Sequence, residues 1–147
     1  MDYSFLEARV YRVSLPVLKL ASFDVFLFGR RFVLRYASEV SLADIRAYLH
    51  YREVVPGAAP LDALHDLRVY DFERLQPDDL MKTIEIYQSF AKSAPPRRAH
   101  LVADTLGYGL MRQFQIMNDV HGVAAQDRLL VTTSEAEAVA WIGLSDS

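Results

Sequence analysis

Asp71, Asp104 and Arg112 are the charged side chains of this chain that could meet in one crevice. Each aspartate lies near the C-terminal end of a run that reads as a parallel strand. The runs are Leu67-Arg68-Val69-Tyr70-Asp71-Phe72 and Ala99-His100-Leu101-Val102-Ala103-Asp104. That edge is where open α/β sheets place their ligands. After Asp104 comes Thr105-Leu106-Gly107-Tyr108-Gly109-Leu110-Met111-Arg112, which opens a helix. Backbone N–H groups at such a start can hold an anion, with Arg112 assisting from one turn further. Asp71, Asp104, Gly107, Tyr108, Gly109 and Arg112 are therefore the candidate ligand- or partner-binding residues. A plainer alternative stands beside this one. The glycines would let helix and sheet approach closely, and Arg112 would anchor the fold by pairing with an acid.

No catalytic set accompanies these residues. Gly107-Tyr108-Gly109 is not completed to Gly-x-Gly-x-x-Gly, because position 112 is arginine, and there is no Walker lysine. A Gly-x-Ser-x-Gly elbow is absent. His50, His65, His100 and His121 have no partner at short helical spacing that would suggest a metal ligand pair. His100 reads as a packed or surface strand residue, and His121-Gly122 as a helix end. Met81, Met111 and Met117 suit core filling or the wall of a deformable apolar pocket. The expectation is a non-enzymatic protein with no metal and no cofactor. An enzyme using the crevice of Asp71, Asp104 and Arg112 is the third choice, and needs all three in one open pocket.

The totals narrow the class. A chain of 147 residues, 52% hydrophobic and 24% charged, is one domain with a sizeable core. Net charge is -3, which argues against nucleic acid. Arg30-Arg31 and Arg97-Arg98 are the local basic pairs, each expected where a loop meets a strand. There is no cysteine, hence no disulfide and no thiolate site. Charges at Glu7, Arg9, Arg12, Lys19 and Asp24, with Pro16, break up any secretory signal. No run approaches the roughly 18 apolar residues of a membrane span. The expected location is the cytoplasm, with no integral membrane segment.

Hydrophobic period supplies the scaffold. Residues 1–22 read as an N-terminal extension with a short helix or an edge strand, and 23–147 as a single domain. Phe23–Phe28 and Arg31–Tyr36 flank Gly29-Arg30 as an antiparallel hairpin. Ser41 and Asp44 read as a capping box, with Leu42, Ile45 and Leu49 on one helix face. Pro77 opens a second helix whose stripe is Leu80, Ile84, Tyr87 and Ala91, stopped by Pro95-Pro96. Leu106, Leu110, Phe114 and Met117 form the face of a third, which Gly122 ends. Leu129–Thr132 is a short strand. Ser134 and Glu137 read as a second capping box, with Ala138, Trp141 and Ile142 inward. The fold class is thus α/β: a mostly parallel sheet of four or five strands, an N-terminal antiparallel hairpin and about four helices.

Three stretches resemble a known family. They are Arg35-Tyr36-Ala37-Ser38-Glu39-Val40-Ser41-Leu42, Asp66-Leu67-Arg68-Val69-Tyr70-Asp71-Phe72, and Gly109-Leu110-Met111-Arg112-Gln113-Phe114 followed by Glu135-Ala136-Glu137-Ala138-Val139-Ala140-Trp141-Ile142. In that order they resemble the SpoIIAA-like proteins, which share their fold with STAS and Sec14-type (CRAL-TRIO) domains. The resemblance implies helices largely on one sheet face, and often a homodimer with a regulatory protein partner. Anti-sigma factor antagonists of this kind are switched by phosphorylation of a serine at a helix start. The corresponding stretch here, Glu73-Arg74-Leu75-Gln76-Pro77-Asp78-Asp79, has no serine or threonine, so that switch is not carried over. The expected function is a non-enzymatic STAS-like regulatory or protein-interaction module. The alternative is a binder of a small lipid or other apolar molecule in a Sec14-like cavity.

Overall fold

A computed structural model describes residues 4–90 and 97–144. The chain enters through a π-helical turn, Leu6–Tyr11, and a two-residue edge strand, β1 (Leu18–Lys19). The extension therefore contains both a helical turn and an edge strand. It is also part of the core, since Leu6 and Val10 are fully buried. Its attachments are polar as well. Tyr11 OH donates to Asp66 Oδ2 at 2.7 Å, and Phe5 N–H donates to Glu135 Oε2 at 2.9 Å.

The hairpin follows the sequence expectation. β2 (Phe23–Phe28) and β3 (Arg31–Tyr36) pair antiparallel, Phe23 opposite Tyr36 and Phe28 opposite Arg31. Gly29 turns the chain at φ 59°, a conformation that costs glycine little. α1 (Leu42–Val54) is capped by Ser41 Oγ, which accepts from Ala43 N–H and Asp44 N–H. Asp44 does not answer Ser41, as a capping box requires. Its Oδ2 accepts from Ser22 N–H at 2.9 Å and Ser22 O–H at 2.6 Å, and Ser22 Oγ in turn accepts from Ser41 N–H. The cap is a three-residue relay that ties α1 to the start of β2.

The central strand lies earlier than the sequence pattern places it. β4 is Asp62–Asp66, and residues 67–72 leave the sheet. Leu67–Phe72 has the composition of a half-buried strand, but Val69 is 65% exposed and Asp71 N–H bonds to Ser38 O. β4 lies inside the sheet and is covered on both faces. Its Ala, His and Asp carry little strand propensity, so it does not announce itself.

A 3-10 turn, Phe72–Arg74, leads to α2 (Pro77–Ser89), where Leu80, Ile84 and Tyr87 are buried as expected. Ala91, Pro95 and Pro96 lie outside the described residues. β5 (Arg98–Leu101), α3 (Thr105–Val120), β6 (Leu129–Thr132) and α4 (Glu135–Trp141) complete the chain. The buried stripe of α3 is rotated by about one residue from the expected one. Leu106 is 45% exposed, while Gly107, Met111, Phe114, Gln115 and Asn118 face inward. Hydrophobic period cannot find a stripe that includes a glycine and two amides. Both amides are bonded: Gln115 Nε2 to the carbonyls of Gln126 and Leu129, Asn118 Nδ2 to that of Phe114. In α4, Ala138 and Ile142 are buried as expected, whereas Trp141 is half-buried beneath Arg97. Ser134 Oγ accepts from Glu137 N–H.

The sheet has six strands in the order β1-β2-β3-β4-β5-β6, antiparallel through β3 and parallel from β3 to β6. It exceeds the expected four or five strands, and β1 at its edge is the short addition from the N-terminal extension. Sequential right-handed crossovers place α1, α2 and α3 together on one face. Their core contains Phe32, Leu34, Ile84 and Phe114. The other face is covered by the π-helical turn and α4, through Leu6, Val10, Ala138, Val139 and Ile142.

Candidate functional site

The crevice residues come together only in part. Asp71 caps the 3-10 turn, accepting from Glu73 N–H at 3.1 Å and pairing with Arg74 Nε at 3.1 Å. Asp104 caps α3, accepting from Gly107 N–H at 3.0 Å. Asp71 and Asp104 line one cleft with Arg68, Tyr70, Glu73 and Leu106. Asp104 thus occupies the helix start where an external anion would sit. Gly107 is buried under Phe72. A Cβ there would lie 2.8 Å from Phe72 Cε2 and 3.2 Å from Val102 Cβ. Close packing is what this glycine provides. Tyr108 and Gly109 are exposed on the outer side of α3 and do not line the cleft. Arg112 is also outside it, hydrogen-bonded to Gln115 one turn along the helix. Asp71, Asp104 and Arg112 therefore do not share one pocket.

A second site lies inside the helical face. β3, β4 and β5 stand in register with Leu34 opposite His65 and His65 opposite His100. Side chains alternate faces along a strand, so Tyr36, His65, Arg98 and His100 all face α1, α2 and α3. Above the two histidines is a cavity of about 90 Å³, lined also by Val40, Leu75, Leu80, Tyr87, Met111 and Phe114 and open to solvent. Its walls are chiefly apolar and its floor is imidazole. The space is enough for about three waters, or for the head and a few carbons of an organic molecule.

The floor is not satisfied. Tyr36 OH and His65 Nδ1 are 2.7 Å apart, and the His65 and His100 rings meet edge-on at 5.1 Å. His65 Nε2 and His100 Nδ1 have no hydrogen-bond partner among the described residues, although each residue is only 3% exposed. Buried polar atoms are almost always paired, so each orphan needs an explanation. Burial holds both imidazoles below their ordinary pKa, and the neighbouring Arg98 adds to it. For His100 the value falls to about 3, while for His65 the charge of His100 contributes as well. Burial likewise pushes the Tyr36 hydroxyl well above its ordinary value, so that it keeps its proton. Both histidines are neutral at physiological pH and offer hydrogen bonds without charge.

Sequence reasoning took His100 as a packed or surface residue and did not connect it with His65. The signal that could have joined them is Arg98-x-His100, two polar residues on one face of an otherwise apolar strand. The missing link was the register of β4, which the misplaced strand hid. No family model, no curated protein and no solved structure matches this chain.

Proposed function

We propose that this chain is a non-enzymatic SpoIIAA-like (STAS-like) module that binds a small molecule with an apolar body in the cavity over His65 and His100. The sequential strand–helix order supports the STAS-like reading, with three crossover helices sharing one sheet face. One observation carries the binding reading: His65 and His100, each with a buried ring nitrogen that lacks a partner among the described residues, line a void that opens to solvent. The size of the void sets the class of ligand. At about 90 Å³ it is well short of the ~300 Å³ of an ordinary ligand cavity, so a whole lipid is not enclosed. The test has two arms. Native mass spectrometry of freshly purified protein should show a small added mass. Hexanol titrated into the emptied protein should shift the imidazole resonances of His65 and His100. A bare mass together with unmoved resonances overturns the reading.

Self-association is a second reading, and the edge of the sheet favours it. Val13, Leu15 and Val17 precede β1 at 71%, 89% and 43% exposure, with Leu27 of β2 at 42%. The resemblance implies a homodimer and a regulatory protein partner, and this exposed edge is where we place the dimer contact. Sedimentation that finds only monomer at high concentration overturns the dimer.

A further inference from the structure

The loop between α1 and β4 is held more firmly than a connector needs. Arg52, fully buried, donates from Nη2 to the carbonyls of Ala59 at 2.7 Å and Leu61 at 2.6 Å. A buried guanidinium is costly unless its donors are satisfied, so arginine and loop fix one another. The loop faces the β2–β3 turn across an open cleft of about 240 Å³. Its walls are chiefly apolar, with Leu27, Phe32, Tyr51, Val55 and Leu61 among them. That volume is close to the ~300 Å³ at which ordinary ligand sites begin. A more polar cleft of about 250 Å³ adjoins it, since Arg30 and Leu61 line both. Both lie at the edge of the sheet where β3 and β4 begin, and neither shares a lining residue with the cavity over His65 and His100.

The polar cleft is lined by Arg30, Arg31 and Asp62 beside Pro60 and Leu61. The charge of Asp62 is matched by Arg97, whose backbone N–H reaches Oδ1 at 3.1 Å while Nε and Nη2 reach Oδ2 at 3.2 and 3.0 Å. Arg31 turns to the end of α4, where Nε donates to Ile142 O at 2.8 Å. Arg30 is exposed at the tip of the turn, and its guanidinium forms no ion pair with any described residue. With Arg97 set against Asp62, the cleft carries net positive charge. We infer that the joined clefts bind a small organic anion with an apolar body. The body lies among Leu27, Tyr51 and Val55, and the anionic head lies beside Arg30. The apolar walls supply most of the affinity, and the solvent-exposed arginine supplies a modest preference for the sign of the head. An ammonium head meets the same arginine with the opposite effect. Because Arg52 anchors the loop before any ligand arrives, binding does not have to order that wall.

The experiment compares octanoate with octylammonium on the full chain at pH 7, followed by the backbone amide resonances of Gly29, Gly57, Ala58 and Leu61. Octanoate should shift these amides and bind roughly three- to tenfold more tightly than octylammonium, the scale of one exposed charge attracting one head and repelling the other. Arg30→Gln, at an exposed turn position, should bring the two affinities together while octanoate still shifts the same amides. Equal affinity for the two probes in the wild-type chain, or a preference that survives Arg30→Gln, overturns the assignment of an anion to Arg30. Octanoate that leaves these amides unmoved, or moves only the imidazoles of His65 and His100, overturns the cleft as a site. Arg30→Gln should leave the response of those imidazoles to hexanol unchanged, so the two sites stand or fall separately.

Discussion

Alanine at Gly107 should destabilise the fold relative to alanine at Gly109, two residues further along the same helix. At Gly109 an added methyl meets nothing within 4 Å. The change there removes only the conformational cost of glycine in a helix, a gain of about 1 kcal/mol. At Gly107 the same gain is offset by overlap. The new carbon would lie 2.8 and 3.0 Å from the Phe72 ring and 3.2 Å from Val102 Cβ. Comfortable carbon contacts are about 3.5–4.0 Å. Overpacking of this kind costs about 1–3 kcal/mol. Gly107→Ala should then fall about 1–3 kcal/mol below Gly109→Ala, or roughly 2–10 °C in Tm for a chain of this size. Urea unfolding followed by circular dichroism reads the difference directly. Phe72 lines the cavity, so displacing its ring should change hexanol binding in Gly107→Ala alone. Equal stability of the two variants, within about 0.5 kcal/mol, would refute the close-packing role of Gly107.

Two further outcomes follow from buried polar groups. His65 and His100 are held below the ordinary histidine pKa, so the unfolded chain takes up protons that the native one refuses. Stability should be complete above about pH 6.5 and fall as pH drops toward the folded values, approaching about 1.4 kcal/mol per pH unit for each imidazole. His100→Gln should flatten that slope between pH 6.5 and 5, measured by urea unfolding, and an unchanged slope counts against a neutral buried His100. Ser22→Ala should cost about 1–2 kcal/mol, because Asp44 loses its hydroxyl donor and Ser41 N–H its acceptor. Thermal unfolding indistinguishable from wild type would show that the relay is not holding α1.

Legibility tracked how strongly each segment repeats a period. The hairpin and β6 carry plain aromatic or β-branched runs and match the sequence reading to the residue, as does the proline start of α2. β4 was missed because a strand covered on both faces needs no alternation. Asp62-Ala63-Leu64-His65-Asp66 has none. The error spread to the site. Shifting the central strand to 67–72 moved Asp71 to a strand end and left His65 unassigned. The Asp71 and Asp104 pair was still found, since both follow the C-terminal ends of neighbouring parallel strands. Arg112 could not be placed from spacing alone, because the rotation of α3 is set by Gln115 and Asn118, whose roles appear only when their carbonyl and guanidinium partners are in view.

Arg52 and Arg98 provide an internal control on what the interior is built for. Both are fully buried on the helical face, yet their surroundings differ. Arg52 ties the loop before β4 to α1 through two backbone carbonyls and also lies 5.0 Å over the Phe32 ring. Replacing it with methionine strands those carbonyls, at about 1–3 kcal/mol each. Arg52→Met should therefore lose about 3 kcal/mol or more. Arg98→Met gives up a hydrogen bond, leaving the buried Asn118 Oδ1 without that donor, and a stacked ring, together about 3–5 kcal/mol. It also removes a charge whose burial costs several kcal/mol without a counter-ion. Its stability should stay within about 1 kcal/mol of wild type or exceed it, as happens when a buried charge is replaced by an apolar side chain. Chemical unfolding of the two variants side by side decides the matter. A loss of about 3 kcal/mol in Arg98→Met, equal to that of Arg52→Met, would make Arg98 a structural strut. The opposite result, an Arg98→Met as stable as wild type or more so, would mean that this arginine is kept at the expense of stability.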